Sequence, residues 1–103
     1  NLQQLARYDV LRAVNELRRA RQQISATEAA RRFREQTVQN ERERFSVGAS
    51  TALQVALAQR DLLESRIAEV EARIDYRLAL LDLHLAEGSL LERRGIRIEA
   101  QAL

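Results

Sequence analysis

The chain has 103 residues, of which 46% are hydrophobic and 31% charged, with a formal net charge of +2 and neither proline nor cysteine. A chain of this length is at most one domain, and the lack of cysteine excludes disulfides and Cys-based metal sites. The high share of Ala, Leu, Glu and Arg matches long-helix or coiled-coil composition rather than that of an enzyme domain.

All 17 basic residues are arginine, which reads as codon or lineage bias. Acidic residues are nearly as numerous, so the charges describe a charge-laced helix surface. Glu28 with Arg32 and Glu69 with Arg73 lie four apart with the acid first, the stabilising order on a helix. The clusters Arg18-Arg19-Arg21 and Arg31-Arg32-Arg34 lack aromatic interleaving and are diluted by Glu16, Glu28 and Glu35, so no nucleic-acid partner is expected. No stretch approaches the roughly 18 uninterrupted apolar residues of a membrane span, and the start at Asn1 lacks the basic-then-apolar pattern of a signal peptide.

In chain order, residues 1–46 read as a first long helix. Val10, Val14, Leu17 and Ile24 follow a spacing that alternates three and four, continued less cleanly by Phe33 and Val38, which is a coiled-coil seam. From Leu2 to Ser46, at about 1.5 Å per residue, such a helix spans about 65 Å, the length of a spacer or a wall.

Residues 47–51 interrupt the pattern. Gly48 suits the left-handed conformation that ends a helix, and Ser50 or Thr51 can cap the next one; with Thr51 as the cap, Gln54 falls at the spacing of a capping box. The chain is therefore expected to fold as an all-α, long antiparallel helical hairpin.

Residues 52–87 read as the second helix. Leu53, Leu57, Leu63, Ile67, Val70, Ile74, Leu78, Leu81 and Leu85 form its main stripe, with Arg60 the one charged residue at a seam position. The large stripes of the two helices are expected to face each other. A second set of small residues, Ala13 and Ala20 on the first helix and Ala68, Ala72, Ala79 and Ala86 on the second, predicts neighbours on another side. Gly88 is the expected C-terminal stop, leaving residues 88–103 as a tail, extended or disordered, in which Arg93-Arg94-Gly95 breaks the pattern.

Candidates for chemistry are few. His84 is the only histidine and has Glu87 three residues on, but two ligands rarely make a metal site. No nucleophile elbow, phosphate loop, paired catalytic carboxylates or zinc motif is present, so no catalysis, cofactor or metal is expected.

The stretch Arg44-Phe45-Ser46-Val47-Gly48-Ala49-Ser50-Thr51-Ala52-Leu53-Gln54-Val55, followed by Arg73, Tyr76, Leu81, Leu83, Ala86, Gly88 and Leu90-Leu91, resembles the last helical hairpin of the outer-membrane factor family, the TolC-like channel-tunnels. Upstream, Val10-Leu11-Arg12-Ala13-Val14 and the run from Gln22 to Ala30 are similar to the helix that follows that family's last membrane strands. The resemblance covers about Leu2 to Leu91.

It implies a homotrimer whose hairpins assemble into an α-barrel tunnel in the periplasm, continuous with a β-barrel in the outer membrane. No strand-like segment is present here, so the resemblance assigns this chain to the C-terminal periplasmic hairpin, with membrane contact only through strands it does not contain. Such channels are the exit ducts of tripartite efflux pumps and type I secretion systems, working with a periplasmic adaptor and an inner-membrane transporter. By the family's pattern, the tip Val47, Gly48, Ala49, Ser50 and Thr51 docks the adaptor, and Phe45, Gln54 and Leu57 lie at the mouth or lumen. Two departures stand out. Positions that hold gating acids in some members are Gln54 and Leu57 here, and the tyrosine and arginine that help lock the closed mouth are replaced by Phe45 and Ser50. A free-standing antiparallel coiled coil for dimerisation or tethering is the alternative reading.

Overall fold

The computed structural model describes residues 2–102; for Arg93, Arg94 and residues 96–102 it describes the backbone alone. Two α-helices account for nearly all of it, α1 (Leu2–Ser46) and α2 (Ala52–Ala102), joined by a turn at residues 47–51. The fold is all-α, a helical hairpin, as the spacing predicts.

The chain divides into two compact units. One, Gln22–Ile74, holds the turn and the adjoining parts of both helices; the other combines Asn1–Arg21 with Asp75–Leu103.

Within Gln22–Ile74 the buried residues are Thr27 and Val38 on α1 and Ala58, Leu62, Glu69 and Ala72 on α2. Val38, Ala58 and Leu62 form one apolar cluster. On α2 the inward positions 55, 58, 62, 65, 69 and 72 alternate three and four, the period of a coiled-coil seam. Thr27, the only buried hydroxyl among them, donates back to its own helix, to Gln23 O at 2.9 Å and Ile24 O at 3.0 Å, so it needs no partner across the seam.

In the other unit, Ala6 and Ala13 of α1 are buried, at 3% and 1% exposure, with Val10, Val14, Leu17 and Ala20 half-buried. On α2 the corresponding inward positions are Ala79, Leu83, Ala86 and Leu90, all half-buried. Here too small and large side chains alternate along each helix.

This arrangement corrects the expected pairing of large stripes. The α1 seam faces inward, Phe33 excepted, which is 64% exposed. The α2 stripe does not. Leu53, Leu57, Leu63, Ile67, Val70 and Ile74 are all exposed in one unit, as are Leu78, Leu81 and Leu85 in the other. The inner face of α2 instead alternates small residues, Ala58, Ala72, Ala79 and Ala86 among them, with the larger Leu62, Leu83 and Leu90. Alanine lets backbones approach closely, and interaxial distance falls with side-chain size at the contact. Dispersion contact at the alanines then adds to the burial of the few inward leucines.

The second helix also corrects the expected stop at Glu87 and the tail at 88–103. It runs through Gly88 and Gly95 to Ala102, while Leu103 lies outside the described residues. Of the described glycines only Gly48 has a positive φ. A helical glycine costs about 1 kcal/mol relative to alanine, which packing outweighs when the next turn has something to bury. Leu90, one seam step beyond Ala86, is half-buried and supplies that packing.

Candidate functional site

The turn between the helices is built from local chemistry. Gly48 has φ 79°, and around it Gly48 N–H donates to Phe45 O at 3.1 Å while Ala49 N–H donates to Arg44 O at 2.7 Å. These two bonds make a Schellman motif, which satisfies carbonyls that the end of α1 leaves open. Val47 N–H also reaches Arg44 O, at 3.3 Å.

On the other side, Thr51 caps α2. Its Oγ1 accepts from Gln54 N–H at 3.1 Å, and its carbonyl accepts the first helical bond from Val55 N–H at 3.1 Å. The reciprocal half of the expected capping box is replaced by another contact, because the Gln54 amide meets Ser50 Oγ at 2.7 Å.

Side chains then cross the turn. Glu41 holds two of them, accepting from Ser50 Oγ on Oε2 at 2.5 Å and from Arg44 Nη1 on Oε1 at 3.0 Å. Arg44 also donates through Nη2 to Ala49 O at 3.1 Å. The hydroxyl of Ser50 has one proton, so with that proton on the Glu41 carboxylate the Gln54 amide must present its Nε2 as donor. Ser46 Oγ donates to Glu43 O at 2.6 Å, closing the last turn of α1.

Most of the residues singled out at the tip are accessible. Val47 is 79% exposed, Phe45 is half-exposed, and Gly48, Ala49, Thr51, Gln54 and Leu57 are exposed; Ser50 alone is half-buried. The structure brings Ser50 together with Gln54, and Thr51 with Gln54, while Phe45 and Gly48 meet only through backbone. Glu41 and Arg44 were not singled out from sequence. Their signal is an acid and a base three apart in the last turn before the glycine.

The second polar cluster of Gln22–Ile74 crosses the seam. Arg31 Nε donates to Glu69 Oε2 and Arg31 Nη1 to Glu35 Oε1, the latter at 2.8 Å, while Arg73 Nη2 donates to Glu69 Oε1 at 3.0 Å. Hydrogen bonds from Arg73 and then Arg31 hold the Glu69 carboxyl below the usual glutamate range. Its bonds to Glu69 and Glu35 hold the Arg31 guanidinium still more firmly protonated than usual. Glu28 and Arg32 make the expected i,i+4 pair at 2.5 Å.

Nothing in this geometry assembles a nucleophile with a base. Among the described residues no group of three or more His, Cys, Asp and Glu side chains could hold a metal ion, and His84 and Glu87 are both exposed. No helix among them is long and apolar enough to cross a membrane. What the tip offers is a backbone turn, fastened from both sides, that holds Phe45 and Val47 out to solvent.

No curated protein and no solved structure matches the chain significantly. A family model does, that of the outer membrane efflux protein, over residues 2–89, a span that takes in α1, the turn and most of α2. The chain therefore belongs to the outer membrane efflux protein family and is a component of an outer-membrane efflux channel.

Proposed function

We propose that this hairpin is a periplasmic wall segment of a homotrimeric channel that serves as the exit duct of a tripartite efflux pump or a type I secretion system, and that it docks a periplasmic adaptor through its tip. The observation that carries the docking reading is the exposure of Val47 on a turn fastened by the Schellman motif, the Thr51 cap and the Glu41 bridge. A surface already ordered before contact loses little conformational freedom on binding, so apolar contact with Val47 and the Gly48-Ala49 backbone translates into affinity. Phe45, Gln54 and Leu57 sit beside it, exposed, as mouth or lumen residues.

The exposed apolar face of α2 supports the wall reading over the free-standing coiled coil. A two-helix tether buries its large side chains between its own helices, whereas here Leu63, Ile67, Val70 and Ile74 are left for other helices to cover.

Photo-crosslinkers placed at Ala49 and Ser50 of the full-length channel in cells test the docking. Capture of the adaptor is the expected result. Its failure at both positions, with the channel correctly assembled, would remove the docking role and leave the wall role standing.

A further inference from the structure

Along the seam of Gln22–Ile74, one layer differs from the rest. In the register set by Arg31 opposite Glu69, Val38 falls opposite Leu62, and Thr27 and Ala72 are the next buried positions beyond the Arg31–Glu69 layer. Val38 and Leu62 are large and apolar, Thr27 and Ala72 are small, and at the Arg31–Glu69 layer between them an ion pair stands instead. Glu69 is 8% exposed and the Arg31 side chain 24%, so the carboxylate lies inside the seam with the guanidinium half-buried beside it.

We propose that the Arg31–Glu69 layer, with the pairs flanking it, is a partner-selecting device that commits α1 to α2 and prevents like-with-like helix pairing when copies of the chain meet. The flanking pairs also join base to acid across the seam, one with the base on α1 and one with the base on α2. Arg34 Nη1 reaches Asp61 Oδ2 at 3.7 Å, and Arg66 Nη2 reaches Glu35 Oε1 at 3.8 Å, so three pairs of opposite sign join the helices in a single register. Arg73 adds a second donor to Glu69 from its own helix.

Apolar layers do not discriminate in this way. Valine, leucine and alanine pack as readily against the same helix of a second copy. A second α2 along this face offers Glu69 no base at the inner positions 58, 62, 65, 69 and 72, and a second α1 offers Arg31 no acid at positions 27, 31 and 38. Either arrangement leaves buried charge without its partner, which is the best-attested way that a polar layer fixes pairing in coiled coils.

Disulfide trapping tests this in the whole 103-residue chain, which has no cysteine of its own. Thr27→Cys with Ala72→Cys reports the native register, and its intrachain disulfide is expected in high yield. Adding Arg31→Glu or Glu69→Arg alone is expected to lower that yield about tenfold, by opposing like charges across the seam. Combining both reversals in one chain is expected to restore it. Mixing the two single-reversal chains is expected to give an interchain disulfide, since each then carries the arm that the other needs.

A second variant covers the case in which single reversals fail to fold. Arg31→Leu with Glu69→Leu keeps the layer packed and removes its charge. Carrying Ala72→Cys alone, it is expected to form interchain disulfides between identical sites several-fold more than the parent chain with the same cysteine. The proposal is overturned if this variant forms no more of them than the parent, or if the single reversals keep the full intrachain yield.

Discussion

Glu41, in the last turns of α1, accepts a hydrogen bond from Ser50, on the far side of the turn, at 2.5 Å, and the same carboxylate holds Arg44 at 3.0 Å. The carboxylate thereby ties together both ends of the interruption, and Arg44 passes the constraint on to the Ala49 carbonyl. A turn held in this way behaves as a rigid end piece.

Loss of that tie is measurable. Ser50→Ala is expected to destabilise the hairpin by about 1 kcal/mol, the net value of one charge-assisted hydrogen bond in partly exposed surroundings. In a double-mutant cycle, Glu41→Gln and Ser50→Ala should be non-additive, because each removes the same contact. Urea titrations of the four chains give the coupling directly.

Glycine substitutions should have opposite signs along the chain. At Gly48 a Cβ would meet nothing within 4 Å, so the cost of Gly48→Ala is conformational, about 1 kcal/mol for a left-handed φ, and Gly48→Asn should cost less. At Gly88 and Gly95, which are helical and equally open, alanine should stabilise by about 0.5–1 kcal/mol each. Thermal melts of the single variants distinguish the two cases.

Acid should loosen the seam at Glu69. Its folded carboxyl titrates below the ordinary range while the unfolded one titrates within it, about pH 4 to 5. The contribution is therefore complete above that range and is lost as pH falls through it toward the lower folded value. Glu69→Gln should flatten the dependence of the unfolding midpoint on pH below about 5 while leaving the neutral-pH hairpin less stable. A Glu69→Gln profile parallel to that of the parent would contradict this.

Inner and outer faces of α2 should respond differently to size and polarity. Ala72→Leu forces a large side chain into a seam position that is 2% exposed and should cost about 1–3 kcal/mol. Ile67→Gln, at a position that is 50% exposed, should leave the unfolding midpoint of dilute chain nearly unchanged and reduce association at high concentration. Denaturation paired with sedimentation separates the two effects.

The turn was legible because everything it needs is local: a glycine for the positive φ, a threonine for the cap, and a break in apolar spacing on either side. Both long helices were legible from period and from the absence of proline. Which face of α2 meets α1 was not, since periodicity identifies an apolar face without naming its neighbour, and side-chain size at Ala58, Ala72, Ala79 and Ala86 decided the matter. Gly88 misled because its intrinsic preference for ending a helix gave way to the packing of Leu90 beyond it. Neither the Glu41–Ser50 bridge nor the Arg31–Glu69 pair could be read from spacing, because both depend on how the chain doubles back.

Alanine between the arms and leucine on the outside has one more effect. The separation of α1 from α2 is set by the inward residues, alanines among them, so it is insensitive to whatever occupies the outward Leu63, Ile67 or Ile74. Exchanging those for bulkier or slimmer side chains would change how far away the next helix sits without altering the hairpin itself. In the proposed channel wall, bore would thus drift over evolutionary time while each stave keeps its shape.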